Sequence, residues 1–428
     1  MQRFIYFLLT GLFTANMSMA QFSAAGGSNG TPFVVDPATY TGLDKVFVFN
    51  GLENAKLAYS VNNPTDWTWY KYTNDPAAAV PVASEVSATE TVLSNVESDC
   101  GYIVVSSGGA KHFVYIVAYK PVVYTGISFK TDVDVCSSLT LIVLSEALDM
   151  DYYTAKGVKT KLGREHTLSW NTLEWNSADK TYATIPRTST SGNLAFWSVD
   201  APLTDTYFTV SGDQYAEAFG IATNYTSALY EAIAVKANAV AEIQERDALN
   251  EIDRVSTSGD LSGSAPLDVT FTSNPSEAVE FKEWYIYDTP DATGIYKRRT
   301  DENSSYKFEA AGTFLVQLFV SNATCKDSAS FNLQILESFI DCPNFFTPRS
   351  TPGENDEFRV AYKSIISFKG TIVNRWGNVL FEWNDPALGW NGTYNGKAVT
   401  PGVYFYLIEA KGSDGVVWKK KGDINLLE

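Results

Sequence analysis

The side chains that could do chemistry in this chain are few and far apart. Only two histidines occur, His112 and His166. A serine-type triad needs an imidazole held by a carboxylate beside a nucleophile, and neither stretch is marked this way. His112 opens an expected strand, and His166 sits in Gly163-Arg-Glu-His-Thr167 within another module. No His-Glu-x-x-His or phosphate-binding loop occurs. Two acid pairs, Asp132 with Asp134 and Asp149 with Asp151, are the nearest candidates for paired-carboxylate hydrolysis or for oxygen ligation of Ca²⁺. Both fall at expected strand ends, where acids are ordinarily just solvated. Trp67 and Trp69 share one parity of a strand. They read first as the aromatic plug of a sandwich and second as a sugar-stacking platform. The expectation is a non-enzymatic protein with no catalytic residue, no cofactor and no metal.

Composition bounds the rest. The 428 residues suffice for three or four domains, and 24 Tyr, 25 Phe and 10 Trp suit pleated sheets. Thirty-two Lys+Arg against 49 Asp+Glu give a net charge of −17. That acidity argues against nucleic acid and anionic membrane as partners. The short basic run Lys419-Lys-Lys421 reads as a charge-protected strand edge. Residues 1–20 read as a secretory signal: Arg3 precedes the apolar Phe4–Phe13, and Ser18-Met19-Ala20 predicts cleavage before Gln21. No later apolar run is long enough for a transmembrane helix. In an exported chain the four cysteines, Cys100, Cys136, Cys325 and Cys342, favour disulfides. Positions beside strand ends of adjoining modules favour Cys325–Cys342, leaving Cys100–Cys136, with free buried thiols as the alternative.

The elements point to an all-β chain of tandem immunoglobulin-like β-sandwich domains. Residues 21–32 are rich in Gly, Ser and Ala and read as a flexible leader. Lys45–Asn50, Asp66–Tyr72 and a hairpin of Cys100–Val105 with His112–Tyr119 make an immunoglobulin-like module over 21–121. Residues 122–254 form a β-rich domain of uncertain type, with strands at Ser138–Leu144, His166–Trp170, Leu173–Trp175, Leu194–Val199 and Tyr207–Val210. Leu229–Ile252 carries Ala and Glu as a helix would, but its partial two-residue alternation assigns it to β. Residues 255–337 open with Gly263-Ser-Ala-Pro-Leu-Asp-Val-Thr-Phe271 and turn into a strand at Ala311-Gly-Thr-Phe314. This order resembles a PKD domain, an immunoglobulin-like surface module.

Residues 338–428 carry the densest motif set. Apolar runs alternate with turn signals at Trp376-Gly377-Asn378, Asn395-Gly396 and Pro401-Gly402. In order come Pro343-Asn344, Thr347-Pro348, Asn355-Asp356-Glu357-Phe358, Asn374-Arg375-Trp376-Gly377, Gly389-Trp390-Asn391-Gly392, Pro401-Gly402-Val403-Tyr404 and Lys421-Gly422. The block resembles the gliding-motility-associated C-terminal domain, the type B sorting signal of the type IX secretion system of Bacteroidetes-type bacteria. It departs at 349–354, which lacks the acidic Asn-Gly-Asp-Gly loop of many members, so no metal is expected there. The resemblance implies export through the periplasm to the cell surface or beyond. It also implies, as partners, the type IX translocon and its outer-membrane shuttle barrel. Residues 21–337 are then cargo. Three roles fit: adhesion or assembly by the sandwiches, a retained accessory part of the secretion or gliding apparatus, or carbohydrate binding at the surface.

Overall fold

The computed structural model describes residues 21–130, 134–255, 261–294, 297–301, 303–350 and 353–427. The expected signal segment and Asp132 lie outside the described residues. The chain is all-β, and its described sheets assort into four sandwiches, each with its own core.

In the first sandwich the order of the larger sheet is Phe33–Val35, Lys45–Phe49, Lys111–Ala118, Cys100–Ser106, Trp67–Tyr72 and Val80–Val82. The facing sheet runs Gln21–Ala25, Lys56–Ser60, Glu90–Ser94, Glu85–Val86. The stretch expected as a flexible leader is therefore in part an edge strand. Phe22 alternates into the core and is 6% exposed, and Gln21–Ala25 pairs fully with Lys56–Ser60. Gly26 then turns the chain at φ 100, where an added Cβ would lie 2.4 Å from the Asn54 carbonyl. Trp69 fills the sandwich core with Phe47, Phe49, Leu57 and Tyr59, and its Nε1 donates to Thr91 Oγ1 at 3.1 Å.

The larger sheet is buried on its other face as well. Val46, Val48, Tyr72, Tyr115 and Val117 pack against Met150, Tyr152, Leu162, Tyr215 and Phe219 of the next module. The partners come from the hairpin Asp151–Tyr153/Lys159–Lys161 and from a short helix, Gln214–Phe219, which the sequence reading missed. Asp213 caps that helix, accepting from Ala216 N at 2.9 Å. The same buried carboxylate accepts from Tyr119 Oη at 3.1 Å and pairs with Arg164 at 2.9 Å.

The second sandwich sets Val123–Lys130, Ser138–Glu146 and Trp197–Asp200 against Thr181–Ser191, His166–Asn176, Thr209–Asp213 and Asn224–Thr226. The two strands expected at 166–170 and 173–175 are one strand of 11 residues. Its far end and its partner Thr181–Ser191 form a polar hairpin that reaches the third sandwich. There Asn238 Nδ2 donates to Tyr182 Oη at 2.7 Å. Within Leu229–Ile252, only Ala237–Ile243 forms a strand, and it pairs with Leu267–Pro275. It thus belongs to the third sandwich, in the sheet Ala237–Ile243, Leu267–Pro275, Asn303–Phe308. The opposite sheet is Ser262–Gly263, Lys326–Ile335, Gly312–Ser321, Phe281–Tyr287, Lys297–Arg299. Trp284 is its buried plug.

The disulfide differs from the favoured pairing. Cys136 bonds Cys325, joining the second sandwich to the third. The loop bearing Cys136 packs on the third core, while Cys100 is enclosed in the first and Cys342 lies against the fourth. Strand-end position could not distinguish these, because the contact depends on how two modules dock. Burial, with the Glu97 carboxylate second, pushes the Cys100 thiol up, and burial takes Cys342 up to about 11. Neither is a thiolate at neutral pH. A thiol reagent should therefore find two thiols per chain after denaturation without reductant and four after reduction. The native protein at pH 7 should react slowly, and a fast native thiol would contradict this burial.

Candidate functional site: the C-terminal sandwich

The last module is built on the sheet Phe345–Phe346, Val417–Leu426, Gly402–Gly412, Ile365–Val373, Val379–Trp383. Phe358, Ile372, Trp390, Tyr404, Ile408 and Ile424 fill its core. Most of the motif residues make this fold. Phe358 and Trp390 exchange backbone hydrogen bonds at 2.8 and 3.1 Å, and Trp390 Nε1 donates to the Thr393 carbonyl at 2.9 Å. Gly389 and Gly392 flank that indole in sequence. Asn355 sits at φ 54 and its carbonyl accepts from Thr347 N at 2.8 Å, while the Asp356 carboxylate accepts from Gly353 N at 2.6 Å. Pro401 and Gly402 lead into the central strand, where Tyr404 Oη donates to the Thr400 carbonyl at 2.7 Å. Gly422 lies under the Tyr406 ring, and an added Cβ would come within 2.6 Å of its hydroxyl.

The hairpin tip is different. Asn374 ties it from within, its Oδ1 accepting from Trp376 N and Asn378 N, both at 3.0 Å. Gly377 takes φ 83 to close the turn. The Arg375 guanidinium lies 4.4 Å from the Trp376 ring centre, and Trp376 is 71% exposed. A shallow cleft runs from this tip to the start of the central strand, lined by Arg375, Trp376, Leu380, Val403 and Phe405. Beside it, Val403, Phe405, Leu407 and Val379 stand exposed on the outer face of the sheet. Phe405 pairs with Val373, and Val373 with Val379, so the side chains are contiguous. The sequence reading missed this face. Its signal was the unbroken apolar run Val403–Ile408, which fills both parities of a strand whose module has one core.

The other candidates disperse. His112 Nδ1 lies 3.2 Å from Asp44 Oδ1 on the first sandwich. His166 is buried at the first joint, 2.7 Å from Tyr124 Oη. Asp149 and Asp151 face Lys161 and Lys159 at 2.5 and 2.9 Å. Asp134 ends a turn, accepting from Cys136 N at 3.1 Å. Among the described residues no group of three or more His, Cys, Asp or Glu could hold a metal ion. Trp69 is core and Trp67 is half-buried against Tyr59 and His112, so they form no exposed pair. Lys419 and Lys420 pair with Glu409 and Asp341, at 3.7 and 3.5 Å.

Residues 340–426 match the family described as CHU_C Type IX secretion signal domain. The C-terminal sandwich is a type IX secretion signal domain. The chain is therefore exported to the cell surface or beyond. Residues 128–227 match the fibronectin type III domain described as Fn3_FA, which falls on the second sandwich. Among solved structures, the chain is similar to a tetra-tandem repeat in the extending region of a large adhesion protein, at 12% identity and a TM-score of 0.22, covering 89% of this chain and 98% of that one. It is also similar to Sidekick-1 immunoglobulin domains 1–5, at 10% identity and a TM-score of 0.25, covering 84% of this chain and 73% of that one. A search of curated proteins finds no match. Among the described residues no helix is long and apolar enough to cross a membrane.

Two outcomes test these placements. In the signal domain, Trp390→Ala should cost about 3–5 kcal/mol in urea denaturation, as expected for an enclosed indole. Trp376→Ala should stay within about 0.5 kcal/mol; equal losses would remove the distinction between framework and displayed residues. Burial, partly offset by Asp213, holds the His166 imidazole below its ordinary range. The unfolded chain then binds the extra proton first, near pH 6.5. Stability at this joint is full above that value and falls as pH drops through it. His166→Gln should flatten the pH dependence of Tm between about 5 and 7, and an unchanged slope would exclude His166 as its source.

Proposed function

We propose that this chain is a non-enzymatic surface protein whose three N-terminal sandwiches serve adhesion or assembly outside the cell. The observation that carries the reading is the combination of an export domain with three sandwiches joined to one another by built contacts, and no catalytic constellation among the described residues. Such modules present broad faces rather than clefts, which suits binding to other macromolecules. The sugar-platform version resting on Trp67 and Trp69 loses its support with Trp69 enclosed. Cells lacking the chain should lose surface attachment or surface assembly, with recovery on re-expression. Normal attachment and assembly in such cells would sink the reading.

The Arg375–Trp376 tip and the adjoining Val403–Leu407 face are the surface the export machinery contacts in this proposal. The remaining motif residues act by folding the domain that presents it. Arg375→Ala with Trp376→Ala should lower the exported amount severalfold while the purified protein keeps its unfolding midpoint. Export at the parental level would assign the contact elsewhere on the domain.

A further inference from the structure

The signal domain does not hang from a linker. The connection between the last strand of the third sandwich, Lys326–Ile335, and Phe339–Asp341 is only Leu336 to Ser338, and it is tied on both sides. Leu336 N donates to the Gly263 carbonyl at 3.0 Å. Ser338 N and Oγ donate to the Asp414 carboxylate at 2.9 and 2.8 Å, and Trp418 Nε1 donates to Ser338 Oγ at 2.8 Å.

A second segment crosses the same joint. Residues 244–255, between strands Ala237–Ile243 and Leu267–Pro275, form a strap that lies along the signal domain. Ile252 N donates to the Tyr362 carbonyl at 2.9 Å, and Tyr362 N to the Asn250 carbonyl at 3.2 Å. Asn250 Nδ2 reaches the carbonyls of Val360 and Pro386 at 2.6 and 2.7 Å. Behind the strap the Glu251 carboxylate is fully enclosed, paired with Arg246 and hydrogen-bonded by Ser264 Oγ. Ser264 Oγ also accepts from Ser364 N at 2.7 Å, and Ser364 Oγ accepts from Ala265 N at 3.0 Å. Ser264 and Ser364 are both fully buried. Separating the two modules would break all of the hydrogen bonds that Asn250, Ile252, Ser264 and Ala265 make to the signal domain at once.

We infer that the third sandwich carries a docking surface for this chain's own signal domain, and that the domain remains a permanent structural module of the protein. A detachable export signal would be joined by an accessible segment whose loss leaves both sides satisfied. Here a cut at 336–338 with loss of the signal domain would take away the partners of Ser264, Ala265 and Asn250 and leave the strap with no strand to pair. The inference goes beyond the adhesive role proposed above and rests only on this joint.

The test uses the purified full chain and a broad-specificity protease, with fragments read by mass. No fragment boundary should arise between 336 and 341 while the third sandwich remains folded. Asn250→Ala should raise cleavage in that window at least tenfold. Rapid cutting there in the parental protein, with the third sandwich left intact, would overturn the inference. So would an Asn250→Ala protein cut no faster than the parent. Because the assay does not involve export, its failure would leave the export reading standing. Failure of the tip variants to alter export would likewise leave the joint standing.

Discussion

Strand Lys45–Phe49 has no solvent face. Phe47 and Phe49 point into the first sandwich while Val46 and Val48 point into the second module, and all four are buried. A sheet apolar on both sides cannot end a protein; it must be covered twice. The covering hairpin and helix belong to the second module, so the first is stable only as part of a pair. The cap at Asp213 follows from the same demand, because the covering helix must begin where Tyr119 and Arg164 can hold it.

The three joints meet that requirement in different chemical ways. The first is largely apolar, with one buried ion pair at its rim. The second has the covalent Cys136–Cys325 link beside polar contacts such as Thr204 Oγ1 to Glu277 at 2.6 Å. The third is almost wholly a hydrogen-bonded network around two serines and Glu251. Apolar joints tolerate small adjustments, whereas a buried polar network keeps its hydrogen bonds in few alternative geometries.

Legibility in the sequence followed the source of each constraint. The signal domain was readable because its turns need Gly377 and Asn395-Gly396 locally, and its framework indole Trp390 follows Gly389. The plug Trp69 was readable from strand parity. The second module was less so. Thr181–Ser191 is mostly polar and mostly exposed, so it carries no clear apolar period to find. Ala237–Ile243 was assigned to the wrong module because strand character is local and sheet membership is not. Unbroken runs such as Lys45–Phe49 and Tyr115–Ala118 were read only as strands, and nothing in them tells what lies on their second side. The Cys136–Cys325 pairing was illegible for the same reason, since it depends on docking between modules.

That crosslink also sets how the molecule bears tension. A surface protein gripped near its two ends is pulled along its covalent path, and the bond at Cys136–Cys325 spans a sequence separation of 189 residues. Tension entering from the first sandwich passes through the sulfur bridge and on to the signal domain. The intervening chain, most of the second and third sandwiches, carries none of it. At about 3.4 Å per extended residue, roughly 600 Å of slack is withheld from unravelling. Under load the protein would act as a short tether with two shielded modules, and reducing one bond would turn it into a long one.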